Sequence, residues 1–140
     1  MRKTWRAVAV SGLAAAACLL PAMAQSQAWP AQPLKVIVPF GPGSSPDQVA
    51  RVVGDKLGVL LGQAVVVENR PGASGNIGTN AIAKAVPDGY TFGVSITGPL
   101  VNNTVLFDSL PYDPAKDLSP LTLAVHQPNV LVVPASSGIG

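Results

Sequence analysis

The run Leu34-Lys35-Val36-Ile37-Val38-Pro39-Phe40-Gly41-Pro42-Gly43-Ser44-Ser45-Pro46-Asp47 decides the fold of this 140-residue chain. Its first half is a nearly continuous series of apolar, largely β-branched residues, which is typical of a strand buried in a parallel sheet. Its second half combines glycine, proline and serine, which marks a tight turn into a helix. The run therefore predicts a strand, a glycine-rich turn and the start of a helix.

The residues after this turn predict one amphipathic helix over 46–61. Its apolar side chains recur at spacings of three and four residues and would form a single face, made of Val49, Val52, Val53, Leu57, Leu60 and Leu61. Ser45 is the predicted N-cap, Gln48 completes an S-x-x-Q capping box, and Gly62 is placed to end the helix.

A second strand and a second glycine-rich turn follow, at residues 64–68 and 69–76. Because parallel strands end at the same edge of a sheet, both turns are expected outside the carboxyl ends of their strands. Each turn would bring backbone N–H groups to the positive end of a helix, which favours a small anion such as a carboxylate. A glycine-rich turn on its own is more often just a tight connection, and that alternative stays open for either turn taken singly.

Strand and helix signals continue to alternate along the rest of the chain. They predict a short helix over 77–85, a strand over 90–96, a helix over 101–107 and two further strands over 121–125 and 130–133. This alternation predicts a right-handed, mostly parallel α/β sheet flanked by helices.

The first 24 residues have the pattern of an export signal. A basic start (residues 1–6) precedes an apolar run (7–20) that is too short to span a membrane, and Ala22-Met23-Ala24 predicts cleavage after Ala24. Cys18, the only cysteine, is expected to be a filler of the apolar run. A lipoprotein cysteine is the alternative, because small residues precede Cys18. The leucine that usually stands before those small residues is missing, which speaks against it.

Removal of this signal changes the charge of the chain. Nine Lys and Arg face seven Asp and Glu in the full sequence, and the loss of Arg2, Lys3 and Arg6 leaves 6 − 7 = −1. The remaining 140 − 24 = 116 residues suit one domain. A nucleic-acid partner is not expected, because it would require clustered Lys and Arg.

No catalytic, metal or cofactor site is predicted. His126 is the only histidine, and no G-x-S-x-G motif supplies a nucleophile, so an exported hydrolase is the weakest of the alternatives. Without a cysteine after the signal, the scattered acids offer no metal-ligand set. The glycines at 72, 75 and 78 match neither the dinucleotide fingerprint nor the P-loop.

Side chains in and beside the turns could hydrogen-bond a carboxylate without carrying a full charge: Ser44, Ser45, Ser74, Asn76, Ser95 and Thr97. For Ser45 and Asn76 the alternative role is helix capping. Asp47 has two interpretations, since it could complement the helix dipole or receive an ammonium group of a ligand. Arg70 could pair with a ligand carboxylate, but a surface position is favoured.

Several runs resemble the Bug-type periplasmic solute-binding proteins, the receptors of tripartite tricarboxylate transporters. They are Trp29-Pro30, residues 33–35 and 38–43, the highly specific Glu68-Asn69-Arg70-Pro71-Gly72-Ala73-Ser74-Gly75-Asn76-Ile77-Gly78, and residues 87–91, 110–114 and 128–133. The resemblance implies a lobe of a two-lobed, Venus-flytrap fold like the type II periplasmic binding proteins. It also implies a periplasmic receptor for a small carboxylate (a di- or tricarboxylate or an acidic amino acid), with the transporter's membrane subunits as partners.

By position, the resemblance implies ligand contacts from both turns and from the end of the third strand: Pro42, Gly43, Ser44, Ser45, Asp47, Ser74, Gly75, Asn76 and Thr97. The first turn departs from the family pattern, which commonly has more glycine and a Thr-Asp ending, so the identity of the solute stays open. Family members are roughly twice as long, at about 100–200 residues per lobe. The resemblance thus implies an N-terminal fragment with an incomplete first lobe at 25–128, the start of a crossover at 129–140, and the second lobe missing. A truncated, functionally silent product is the alternative.

Overall fold

The computed structural model describes residues 29–128 and 130–138. Its helices and strands are β1 (Leu34–Val38), α1 (Ser45–Leu61), β2 (Val65–Asn69), a 3-10 turn (Ala73–Gly75), α2 (Asn76–Ala83), β3 (Thr91–Gly93), a π-helical turn (Gly98–Asn102), α3 (Asn103–Leu106), α4 (Pro114–Asp117) and a second 3-10 turn (Ala135–Ser137). The predicted export signal, its cleavage site and Cys18 lie outside the described residues.

Three parallel strands form the sheet, in the order β2-β1-β3. Strand β1 is central and pairs with β2 from Leu34↔Val65 to Val38↔Asn69. Val36 and Val38 of β1 are buried and form the core with Ala50 of α1. The predicted parallel α/β sheet flanked by helices is confirmed.

Strand β2 is less buried than the sequence suggests. It lies at an edge of the sheet, and Val66 is 53% exposed, while Val65 and Val67 pack against the core. An edge strand has one neighbour, so a continuous apolar run does not require burial on both faces. The apolar, β-branched composition of residues 64–68 predicts a second buried strand, and this prediction was wrong for Val66.

Only part of the predicted face of α1 is turned inward: Val49, Leu57 and Leu61 are half-buried, but Val52, Val53 and Leu60 are exposed. Ala50 and Gly54 are buried, whereas Val52 is 65% and Leu60 81% exposed. A Cβ atom added at Gly54 would lie 3.2 Å from Val65 Cγ1, so the small residues let the helix approach β2 closely. Close approach through small side chains therefore prevails over the bulkier apolar stripe.

The ends of α1 match the prediction at one side only. Gly62 ends the helix in the left-handed conformation, with φ 65°, as predicted. The N-cap is Ser44, not Ser45, and it makes no side-chain capping bond. The capping box is also wrong, because the Gln48 side chain donates to the Gly43 carbonyl oxygen at 3.0 Å.

The C-terminal third contains less regular structure than predicted. The helix expected over 101–107 occurs as the π-helical turn followed by α3. The strands expected over 121–125 and 130–133 are wrong: within the described residues no strand follows β3, and Leu131 is 97% exposed. This segment pairs with neither sheet edge, and apolar β-branched composition does not make a strand without a neighbouring strand. Across 29–128 and 130–138, no helix has the length and apolarity needed to cross a membrane.

Candidate functional site

The turns after β1 and β2 lie side by side at the carboxyl edge of the sheet, as predicted. The Arg70 N–H donates to the Val38 carbonyl at 2.8 Å, and Asn69 Nδ2 donates to the Phe40 carbonyl at 2.9 Å. A Cβ atom at Gly75 would lie 3.0 Å from Phe40 Cζ and 3.2 Å from Pro99 Cγ. The π-helical turn after β3 therefore also reaches this edge, and three turns meet there.

The second turn has an unusual left-handed backbone. Four consecutive residues have positive φ: Gly72 (132°), Ala73 (45°), Ser74 (56°) and Gly75 (90°). The Gly75 N–H donates to the Gly72 carbonyl at 2.9 Å and closes this turn directly before α2. Left-handed alanine and serine are energetically unfavourable, and such residues cluster at functional sites. Ser74 is held in this conformation with its side chain exposed.

A buried polar network supports the second turn from below. The Asn76 Oδ1 atom lies 2.6 Å from Asn103 Nδ2 and 2.9 Å from the Tyr112 hydroxyl, which is also 2.8 Å from the Pro99 carbonyl oxygen. Asn103 Nδ2 also donates to the Ser74 carbonyl at 3.1 Å. Burial raises the pKa of the Tyr112 phenol. Asn76 is thus a buried support at the start of α2, and its side chain does not cap that helix.

Asp47 anchors the first turn. Its side chain is 3% exposed, and it accepts hydrogen bonds from the Gly43 N–H (2.8 Å), Arg51 Nε (3.1 Å) and Asn69 Nδ2 (2.9 Å). The Arg51 hydrogen bond, followed by those of Gly43 and Asn69, lowers the pKa of Asp47 from 3.8 to about 2. Both carboxylate oxygens therefore have partners within the protein, and a ligand contact by Asp47 stays a prediction.

The remaining residues of the first turn are more accessible. Pro42, Gly43 and Ser45 are exposed, whereas Ser44 is half-buried and its Oγ is enclosed without a hydrogen-bond partner in the described part of the chain. The Gly43 N–H is used by Asp47, and the Ser44 N–H donates to the Gly41 carbonyl at 3.2 Å. Pro42 and Pro46 have no N–H, so this turn offers fewer unpaired amides than its composition suggests.

The third turn contributes Thr97, which is exposed and precedes the π-helical turn as its N-cap residue. Ser95, just before it, is half-buried with an Oγ that meets no partner among residues 29–128 and 130–138. The exposed hydroxyl groups of the three turns are therefore those of Ser45, Ser74 and Thr97.

The charged groups near this edge are paired. Arg51 contacts Asp47, and Arg70 Nε lies 2.6 Å from Glu68 Oε1, which agrees with the surface position expected for Arg70. His126 is exposed and lies in the irregular segment after α4. No group of three or more His, Cys, Asp or Glu side chains in the described residues could hold a metal ion.

Sequence reasoning missed the supporting residues Asn69, Asn103 and Tyr112. Asn69 and Tyr112 stand inside two of the runs that carry the family resemblance, and this was the one available signal. Nothing in the spacing indicates that Tyr112, 36 residues after Asn76, folds back beneath the second turn.

Comparison with known proteins gives one family. Residues 49–140 match the tripartite tricarboxylate transporter family receptor. The chain is 42% identical over 137 residues to a UPF0065 protein of Bordetella bronchiseptica and 44% identical over 128 residues to protein BugT of Bordetella pertussis. These matches cover 93% and 91% of the chain but 41% and 39% of the relatives. The chain therefore spans about two fifths of the length of these proteins.

Solved structures show the same similarity. The chain is similar to a periplasmic transporter (46% identity, TM-score 0.60, 64% of this chain and 30% of that one). It is also similar to MatC from Rhodopseudomonas palustris with bound malate (37% identity, TM-score 0.61, 64% of this chain and 30% of that one). A third similar structure is an R. palustris protein with adipate (38% identity, TM-score 0.60, 62% of this chain and 29% of that one). The fold is thus that of part of a periplasmic binding protein.

Proposed function

We propose, on the premise that this chain belongs to the tripartite tricarboxylate transporter receptor family, that it is part of an extracytoplasmic receptor for a small dicarboxylate. One observation carries this proposal: the turns after β1 and β2 meet at one sheet edge, with exposed Ser45 and Ser74 at two adjoining helix starts. The similar R. palustris proteins hold malate and adipate, which are both dicarboxylates.

The chemistry of this edge suits an anion held by neutral donors. The described residues provide no acceptor for the amides of Ser45 and Ser74, and both hydroxyls are exposed. The two helix starts add partial positive charge. Because Arg51 and Arg70 are already paired with acids, the solute carboxylate would rely on hydrogen bonds and helix dipoles for its stabilisation.

Of the sequence-predicted ligand residues, Ser45, Ser74 and Thr97 are proposed as direct contacts through their hydroxyls or amides. Pro42, Gly43, Ser44, Gly75 and Asn76 would shape the two turns around the solute. Asp47 would hold the first turn in place, because its oxygens are occupied by Gly43, Arg51 and Asn69.

The experiment is isothermal titration of the intact exported protein with malate, adipate, citrate and aspartate, with the uncharged diamide of malate as control. We expect binding of at least one of these acids and none of the diamide. Ser74→Ala should weaken binding by about three- to tenfold, the effect of one hydrogen bond, and the exposed Ser119→Ala should not. Absence of binding by every acid would contradict the proposal.

We also propose that the chain is exported by its first 24 residues, with cleavage after Ala24. Mass spectrometry of the protein from a periplasmic fraction should give an N-terminus at Gln25. Cys18→Ala should not alter export or processing. A lipid-modified N-terminus at Cys18 would contradict this proposal in favour of the lipoprotein alternative.

The division of the chain follows from the same proposal: a first lobe at 25–128 and the start of a crossover to a second lobe at 129–140. A solute clamped between lobes would be buried on both sides, and burial gives such sites their affinity. Residues 1–140 alone should therefore bind malate more weakly than the intact gene product. Sequencing the coding DNA beyond the codon for Gly140 distinguishes a receptor from a truncated, silent product.

The family consists of receptors, and a receptor that performs no catalysis is accordingly the proposal for this protein. We also propose that the receptor delivers its solute to the membrane subunits of a transporter. Solute uptake by cells with and without the gene tests this. Should an exported hydrolase activity be found, His126→Ala is expected to leave it unchanged, since His126 is exposed and has no recorded hydrogen bond to a nucleophile among the described residues.

A further inference from the structure

We propose that Asn69 is a positioning residue that sets the spacing of the two solute-binding turns, and so the affinity for the solute. The inference rests on the proposed function, because it assumes that the turns after β1 and β2 share one carboxylate. Asn69 is the half-buried last residue of β2, directly before the left-handed part of the second turn.

Both polar atoms of the Asn69 side chain form hydrogen bonds with the first turn or α1. Its Nδ2 atom donates to the Phe40 carbonyl in the first turn and to Asp47 Oδ1 in α1, both at 2.9 Å. Its Oδ1 atom accepts from Arg51 Nη2 at 3.2 Å. The Arg51 contact fixes which way the amide faces, because guanidinium groups are donors only. The two amide hydrogens must then point to Phe40 and Asp47.

This contact stands where the main-chain ladder stops. The Arg70 N–H to Val38 carbonyl bond at 2.8 Å is the last backbone hydrogen bond between the two strands. Beyond it, among residues 29–128 and 130–138, the Asn69 amide supplies the recorded hydrogen bonds that join the first turn and the start of α1 to the end of β2. Beyond the ladder, the recorded side-chain hydrogen bonds that tie the first turn to the end of β2 thus come from one residue, Asn69.

Such a link should affect binding more than folding. A site made of several neutral donors loses affinity when the donors shift by a fraction of an ångström. The sheet itself is held by the β1–β2 ladder and by the buried side chains of β1, which a change at Asn69 leaves intact. Asn69→Asp keeps the shape, removes both donors and sets a second carboxylate beside Asp47.

The test compares Asn69→Asp and Asn69→Ala with Gln63→Glu in the intact protein. Gln63→Glu makes the same amide-to-acid change two residues before β2 begins, and the described residues give its side chain no recorded hydrogen bond. Malate affinity is measured by titration well below the melting temperature. Hydrogen exchange is followed in the ligand-free protein for residues 40–47, 70–76 and, as reference, β1.

We expect both Asn69 variants to weaken malate binding by about tenfold or more, because the donors of the two turns are no longer held at the right spacing, while Gln63→Glu binds like the parent. Exchange should accelerate in both turns and stay unchanged in β1. Full malate affinity in Asn69→Asp would overturn the proposal, even if the melting temperature falls. If the parent protein binds no dicarboxylate, the proposed function fails separately. Unchanged exchange in the two turns would then overturn the positioning role on its own.

Discussion

Asp47 illustrates how a single residue acquires a structural role that its position in the sequence leaves open. As an acid in the first turn of a helix it suits the dipole, and next to a candidate ligand site it also suits a ligand ammonium. The structure surrounds its carboxylate with Gly43, Arg51 and Asn69. The sequence predicts the acid at the helix start, but the partner from β2 depends on the packing of the two strands.

The pKa of Asp47 makes stability depend on pH. Because that pKa is lowered from 3.8 to about 2, mainly by Arg51, the ionised form stabilises the fold above pH 3.8. This contribution is lost as the pH falls through that range toward 2. Asp47→Asn should lower the melting temperature at pH 7 and flatten its decline in acid, as measured by thermal denaturation across pH.

Asp108→Asn is the matched control for this prediction, because Asp108 is exposed and makes no recorded contact in the described residues. It should leave both the melting temperature and its dependence on pH close to those of the parent. If the melting temperature of Asp47→Asn fell in acid as steeply as that of the parent, Asp47 would not be the source of this pH dependence.

Among the elements, the approach of α2 to the carboxyl ends of β1 and β2 depends on a glycine. A Cβ atom at Gly78 would lie 2.6 Å from both the Arg70 carbonyl oxygen and Pro39 Cα, which are backbone atoms that cannot easily move. Gly78→Ala should therefore destabilise the protein by about 1–3 kcal/mol. Gly41→Ala, where a Cβ atom would meet nothing within 4 Å, is the control in urea denaturation. Equal stability of the two variants would contradict this packing.

Tyr112 ties the segment before α4 to the second turn. Removing its buried hydroxyl, which contacts Asn76 and Pro99, should lower the free energy of unfolding by about 1–2 kcal/mol in Tyr112→Phe. Tyr90→Phe is the control, since the Tyr90 hydroxyl accepts one exposed bond from the Ala31 N–H. Urea denaturation measures both, and a cost at Tyr90 as large as at Tyr112 would argue against the buried network.

Local signals predicted the elements that are specified by the residue types of one short segment. The β1 run, the glycine at the end of α1 and the order of strand and turn are as expected. The predicted face of α1 was wrong for Val52, Val53 and Leu60, because close approach at Gly54 turns a neighbouring side of the helix to the sheet. The strands expected after residue 120 were wrong. A strand needs a second segment to pair with, and the composition of one segment does not indicate whether such a partner is nearby.

In the whole molecule, three parallel strands bring three turns to one edge of the sheet. The family resemblance and the positive helix ends both indicate this edge as the place where a carboxylate would bind. The chain spans about two fifths of the length of its curated relatives. We propose that the described residues form one wall of the solute site and that full solute affinity belongs to the intact protein.

A crystal structure of the intact protein with a bound dicarboxylate would show directly whether the two turns share one carboxylate. We expect that carboxylate within hydrogen-bond distance of both turns, at the amide or hydroxyl of Ser45 and of Ser74. A carboxylate bound elsewhere, or held by an arginine away from these two turns, would contradict this expectation.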